Sequence, residues 1–316
     1  MKILFAAPEN AWGGFLGLLR AEIPEHQCEA TGGFKVDDLK GVDVLIPTMC
    51  RITDDMLAQS DGLKLIQQCG SGLEGVDIKA ARERNIMVAN VPTNISGNAD
   101  SVAELGIYFM IGLSRNVRQM ATSLSEQRMG EPLGRALSGQ TIGIVGLGGI
   151  GRALIKRLKP FGVHLVGIKR EDRETAKNEL GLEWVGGPED LKELLAISDH
   201  VILALPVTTE SKNIINGDAF SAMKKEAFLI NLSRGGLVDH DALKEALSCG
   251  EIAGAGLDVF WEEPPDPNDR VFKYNVMATP HIAGSTDVSM RGIVKGVAEN
   301  IRRVATGRLP LFLKTG

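Results

Sequence analysis

Cysteine is scarce in this chain: four in 316 residues (Cys28, Cys50, Cys69, Cys249), none in a CxxC spacing. No disulfide framework or metal centre is therefore expected, and a reducing cytoplasm is the default setting. Long hydrophobic runs are missing as well. The clearest, Leu105 to Leu113, falls short of the roughly 17–25 residues that cross a bilayer, so no membrane is expected. The opening MKILFAAP has five apolar residues between a lysine and a proline and reads as a first strand, too short for a signal peptide. A basic excess is absent: 35 Lys and Arg face 40 Asp and Glu, a net charge of −5. With no long basic block, nucleic acid is not an expected partner. What remains is 44% hydrophobic and 24% charged, the balance of a globular protein long enough for two domains.

Short β-type runs alternate with helical stretches. Strands are predicted at Lys2–Ala7, Asp43–Pro47, Leu63–Gln68, Ile86–Val91, Thr141–Val145, His164–Ile168, Glu183–Val185, His200–Leu205, Ala227–Leu232, Ala253–Val259 and Val276–Thr279. Helical patterns fall at Ile78–Arg84, Ala99–Arg115, Arg152–Lys159, Arg173–Leu180, Leu191–Ala196, Gly217–Met223, Asp241–Cys249 and Val288–Thr306. Gln127–Gln140, polar and carrying Pro132, reads as a connector or arm. Such alternation specifies an α/β fold with parallel sheets covered by helices.

The strand TIGIV runs into Gly146-Leu147-Gly148-Gly149-Ile150-Gly151, and a helix opens at once. In this GxGxxG the first glycine permits a tight turn, the second lets backbone approach a pyrophosphate, and the third lets helix and strand pack closely. The helix N-terminus then offers free N–H groups to the anion. The next strand, HLVGI, ends in Lys169-Arg170. A NAD site usually carries an acidic residue there; two cations suit the 2′-phosphate of NADP, unless Glu171 or Asp172 reaches the ribose instead.

Ligands of open α/β sheets lie outside the carboxyl ends of the strands. Those ends carry Pro206, Ser233-Arg234, Asp258 with Glu262-Glu263, and Pro280-His281. A guanidinium can grip a carboxylate with two parallel hydrogen bonds and polarise the neighbouring carbonyl. A histidine can give or take a proton near neutral pH, and a nearby carboxylate favours the imidazolium and fixes its tautomer. Arg234, His281 and Glu263 meet those needs, which fit hydride transfer to a 2-keto acid.

With GLGGIG (146–151), NLSRGGLVD (231–239), GAGLDVFWEEPP (254–265) and TPHIAGST (279–286) in order, the whole chain resembles the D-isomer-specific 2-hydroxyacid dehydrogenases. The resemblance implies two doubly wound parallel-sheet domains: a Rossmann cofactor domain (98–287) inserted into a flavodoxin-like substrate domain (1–97 plus 288–316). It implies that Arg234 binds the substrate carboxylate, that His281 is the acid/base and that Glu263 is its partner. Cofactor contacts are implied at Gly146, Gly148, Gly149, Ile150, Gly151, Lys169, Arg170, Leu205, Pro206, Leu232, Ser233, Asp258 and Gly284. Asp258 is placed near the nicotinamide. Backbone of the loop Cys69-Gly70-Ser71-Gly72, chiefly Ser71 and Gly72, is implied to bind substrate beside Arg234 and His281. A cytoplasmic homodimer formed through the cofactor domain is expected.

Glyoxylate or hydroxypyruvate reduction is the first expectation, on the Lys169-Arg170 pair and the lack of extra domains. D-3-phosphoglycerate dehydrogenase is the alternative. Formate oxidation is disfavoured, because that branch has an amide where Glu263 stands. Phosphite oxidation is disfavoured by Glu74 in the loop where that branch has a lysine. A nucleotide-sensing corepressor of the same fold is the rival from another class.

Overall fold

The computed structural model describes residues 1–314. The chain divides into two compact units: Met1–Asn98 together with the chain from Gly284 onward, and Ala99–Ala283.

In the first unit β1 (Lys2–Phe5), β2 (Gln27–Ala30), β3 (Val44–Ile46), β4 (Leu65–Gln67) and β5 (Met87–Ala89) form a parallel sheet in the order β2-β1-β3-β4-β5. This is the flavodoxin-like order. Helices α1 (Ala11–Glu22), α2 (Asp54–Ala58) and α3 (Ile78–Glu83) lie between strands, and α4 (Thr93–Ser96) follows β5. On one side of the sheet α1 buries Phe15, Leu16 and Leu19 against Phe5 and Ile3. On the other, Leu45 and Ile66 pack with Leu57 and Ala81.

The second unit opens with α5 (Asn98–Ser114) and α6 (Val117–Ser125). Then follow β6 (Thr141–Val145), α7 (Gly149–Leu158), β7 (His164–Ile168), α8 (Arg173–Leu180), β8 (Trp184–Gly186), α9 (Leu191–Ile197) and β9 (His200–Leu203). The series closes with α10 (Gly217–Ala222), β10 (Phe228–Asn231), α11 (His240–Cys249), β11 (Gly254–Leu257) and β12 (Val276–Ala278). The seven strands are all parallel, in the order β12-β11-β10-β9-β6-β7-β8. Strand order reverses between β6 and β9, the point at which doubly wound sheets bind dinucleotides. The strands β9, β10 and β11 are buried throughout, as expected of a parallel sheet covered on both faces. Ile144, Ile202 and Ile230 face a core shared with Phe109 and Leu154, whereas Val145, Leu203 and Leu229 face one shared with Leu194 and Leu243. The last helix, α12 (Asp287–Ala305), returns to the first unit, where Val297, Ala298 and Ile301 complete the core beside α1.

Several elements depart from the sequence reading. Helices α1, α2, α4 and α6 and strand β2 stand where none was predicted. Strand β9 stops at Leu203, so Leu205 and Pro206 lie in the loop beyond it, and α7 starts at Gly149 rather than at Arg152. Among the described residues, no helix is long and apolar enough to cross a membrane, and no cluster of three His, Cys, Asp or Glu could hold a metal ion.

Candidate active site

At the reversal point the glycine loop has the geometry its spacing demands. Gly146 has φ +103°, and a Cβ there would lie 2.6 Å from the Ala204 carbonyl oxygen. Gly151 presses on the Gly146 carbonyl so closely that any side chain would collide. Around Gly148, by contrast, a Cβ would meet nothing within 4 Å. The first and third glycines thus serve turn and packing, and the second leaves a face at which a pyrophosphate can approach the α7 N-terminus. Gly149 and Ile150 open that helix, with Ile150 leaning on the core. The residues present therefore fit a dinucleotide.

Beyond β7, Lys169 Nζ stands 3.8 Å from Asp172 Oδ2, while Arg170 is exposed. The Thr208 hydroxyl, foremost, and the charge of Arg170 hold the Glu210 carboxyl below its ordinary pKa. Both cations of this corner thus have acidic neighbours.

The ends of β10, β11 and β12 are adjacent in the sheet. After β10 the turn is locked by Asn231, which is 1% exposed. Its Oδ1 accepts from the Ser233 N–H at 3.1 Å and its Nδ2 donates to the Arg234 carbonyl at 2.8 Å. Ser233 is buried, and Arg234 Nη1 donates to its carbonyl at 2.8 Å. After β12, His281 Nδ1 meets Glu263 Oε2 at 2.7 Å, and the other carboxylate oxygen of Glu263 accepts from the Phe260 N–H at 3.0 Å. Burial pushes the Glu263 carboxyl upward. The hydrogen bond and charge of His281, the Phe260 amide and the Arg234 guanidinium outweigh it, so its pKa lies below the ordinary value. The pairing makes His281 Nδ1 the donor to Glu263 and leaves Nε2 as the atom that can exchange a proton.

His281 itself adopts φ +54°, a left-handed conformation that costs a non-glycine residue about 1 kcal/mol or more unless its surroundings enforce it. Asp258 supplies that enforcement. Its carboxylate accepts from the Thr279 hydroxyl at 2.6 Å, the Ile282 N–H at 2.8 Å and the Ala283 N–H at 3.0 Å. Burial raises the Asp258 pKa against those bonds and the charge of His281. Asp258 is thus engaged with the histidine loop from three sides, a tie that its expected place at the nicotinamide did not anticipate.

Other residues singled out in the sequence stand elsewhere. The Leu232 side chain is buried against Gly106 of α5, so only its backbone is available to a cofactor. Leu205 lies against the Gly146 turn, and Pro206 beside it in sequence is exposed. Gly284 belongs to the first unit and lies against the Asn98 amide. Ser71 and Gly72 follow β4 in that same unit, and the Ser71 carbonyl accepts from Asn90 Nδ2 at 2.8 Å. Asn90, Asn231 and Thr279 escaped the sequence reading. For each the available signal was a polar residue at the end of an apolar strand.

The chain matches the family model "D-isomer specific 2-hydroxyacid dehydrogenase, NAD binding domain" over residues 107–283. The chain belongs to this family. A D-2-hydroxyacid dehydrogenase is an oxidoreductase, and its dinucleotide is NAD or NADP. Among its relatives, the glyoxylate reductase of Thermococcus litoralis is 36% identical over 88% of this chain and 85% of that protein. The D-3-phosphoglycerate dehydrogenase of Methanocaldococcus jannaschii is 36% identical over 87% of this chain but only 52% of its own length, so the chain spans about half of that relative. The solved structure of an NADPH-dependent glyoxylate/hydroxypyruvate reductase from Sinorhizobium meliloti, in complex with NADP and malonate, matches with a TM-score of 0.84 and 27% identity. That match covers 99% of this chain and 96% of that one.

Proposed function

We propose that this D-2-hydroxyacid dehydrogenase reduces a small 2-keto acid, glyoxylate or hydroxypyruvate, to the D-2-hydroxy acid, with NADPH preferred over NADH. The 2.7 Å contact between His281 Nδ1 and Glu263 Oε2, with the charge of Arg234 beside it, carries the reading. Arg234 grips the substrate carboxylate and polarises the adjacent ketone. His281, hydrogen-bonded through Nδ1 to Glu263, passes a proton from Nε2 to the forming alkoxide. Glu263 and Asp258 hold the imidazole in tautomer and place. When bound, the nicotinamide supplies the hydride. The Gly148 face and the α7 N-terminus, in the turn that Gly146 and Gly151 allow, would receive the pyrophosphate, and Lys169 with Arg170 the 2′-phosphate. Ser71 and Gly72 act as backbone donors to a carboxylate.

Both named relatives are 36% identical to this chain, so 3-phosphoglycerate oxidation stands as the second reading. An ionised Glu263 on His281 favours an enzyme over a nucleotide sensor, which needs no proton donor. A cytoplasmic homodimer is part of the proposal: all four cysteines are free. Tyr108, Ile111, Leu124, Met129 and Leu133 are exposed along α5, α6 and the following arm, more apolar surface than isolated exposed residues account for.

The deciding experiment measures kcat/KM for glyoxylate, hydroxypyruvate and 3-phosphoglycerate, each with the matching form of both cofactors. Expected are keto-acid reduction above phosphoglycerate oxidation and a preference for NADPH. Arg234→Ala should lower kcat/KM about a hundredfold, through KM and kcat together. Phosphoglycerate oxidation as the main activity would overturn the substrate, and an NADH preference the cofactor.

A further inference from the structure

Against Trp261, two residues before Glu263, stands another histidine–carboxylate pair. His240, the first residue of α11, has its Nε2 2.7 Å from Asp269 Oδ2. Its ring lies 4.4 Å, centroid to centroid, from that of Trp261. Trp261 in turn donates its Nε1–H to the Val238 carbonyl at 2.6 Å. The same two strips of chain touch again at Gly235, where a Cβ would collide with the Phe260 carbonyl and lie 2.5 Å from the Trp261 nitrogen. Segment 234–238 carries the arginine, and segment 260–263 carries the carboxylate.

Glu263 is held by the Phe260 N–H, a group of its own turn, so that bond moves with the loop and cannot register it against the rest of the unit. Trp261 can. Its ring is fixed by His240, which Asp269 orients, and its polar edge is committed to the strip that follows Arg234. We propose that Trp261, clamped between His240 and Val238, is a positioning residue that sets the Glu263–His281 pair relative to Arg234. This rests on the catalytic reading of those three residues.

Trp261→Phe keeps a ring against His240 and loses the Nε1 donor. Forfeiting one hydrogen bond in the reacting geometry should lower kcat about fivefold, while KM for the keto acid stays within about twofold. The acid-side fall in activity, where Glu263 takes up a proton, should also begin at higher pH, because a carboxylate held less closely by His281 is protonated more readily. Asp269→Asn keeps the cap on the Val271 N–H and should shift both readouts the same way by less. It decides the matter if Trp261→Phe fails to fold. A purely structural role would lower Tm while kcat and the pH profile of both variants overlay the unmodified enzyme, and that result overturns the clamp. If the unmodified enzyme reduces no 2-keto acid, the catalytic reading falls first and takes the clamp with it.

Discussion

At the carboxyl edge of the seven-stranded sheet ionisable side chains join the neutral Asn231 and Thr279, whereas at the same edge of the five-stranded sheet Thr48, Gln68 and Asn90 are all neutral. Arg234 follows β10, Asp258 follows β11 and His281 follows β12. In the other unit Thr48 follows β3, Gln68 follows β4 and Asn90 follows β5. The neutral groups run from strand to strand. The Thr48 hydroxyl donates to the Ala6 carbonyl at 2.6 Å and Gln68 Nε2 to the Thr48 carbonyl at 2.8 Å. Gln68 Oε1 takes the Cys69 N–H at 3.0 Å, and Asn90 ties down Ser71. A buried amide escapes the desolvation cost of a charge and makes the same bonds at any pH. It suits a loop that only has to hold its shape. On the proposed reading, charges stand where a proton moves, a carboxylate is gripped and a ketone is polarised. The two edges would then divide labour between holding and reacting.

The sharpest way to break this contrast is His281→Ala. It should lower kcat about a thousandfold while KM moves little, as loss of a proton donor does. Turnover near the unmodified level in a steady-state assay would remove chemistry from the charged edge.

A smaller effect concerns the opposite, amino end of the same sheet. His200 is fully buried, with Nε2 3.2 Å from the Ser114 hydroxyl and Nδ1 without a hydrogen-bond partner among the described residues. Burial, helped by the charge of Arg135 and opposed by Asp199, pushes its pKa down to about 4. The unfolded chain takes up this proton near pH 6.5 and the folded chain does not. The contribution is therefore complete above about pH 6.5 and is lost as pH falls toward 4, by up to about 3 kcal/mol. His200→Leu should flatten the fall in Tm between pH 7 and pH 4.5. Parallel curves for the two proteins would show that this histidine is not a source of the acid sensitivity.

Least in size is the test of the neutral edge. Asn90→Ala frees the Ser71 carbonyl and should raise KM for the keto acid about fivefold at unchanged kcat. A kcat effect as large as that of His281→Ala would erase the division between the edges.

Legibility in the sequence followed burial. Thr141–Val145 and His164–Ile168 were readable to the residue because both strands are apolar, interior and bounded by turn residues. The candidate site was legible because Arg234, Asp258 and His281 each stand within three positions of the end of a strand. The QCEA strand β2 carries no such run, being an edge strand with half its residues polar. Helix α1 is masked by Trp12, Gly13 and Gly14, all at positive φ inside its span. Helix α6 buries only Ser123, so core packing left little apolar pattern to find. Asp258 was recognised as an acidic residue at a strand end, but its partners at 279, 282 and 283 are set by the neighbouring strand. The partners of Trp261, 21 to 23 residues upstream, are likewise tertiary and leave no local pattern.

The left-handed backbone at position 281 also bears on how an inactive form should be made. Alanine there would bear the same Cβ penalty as histidine, held in place by the Asp258 bonds to residues 279, 282 and 283. Asparagine tolerates that region better than most residues. His281→Asn is therefore the substitution of choice for soaking crystals with keto acid and reduced dinucleotide together, stopping the reaction while sparing the contour of the loop.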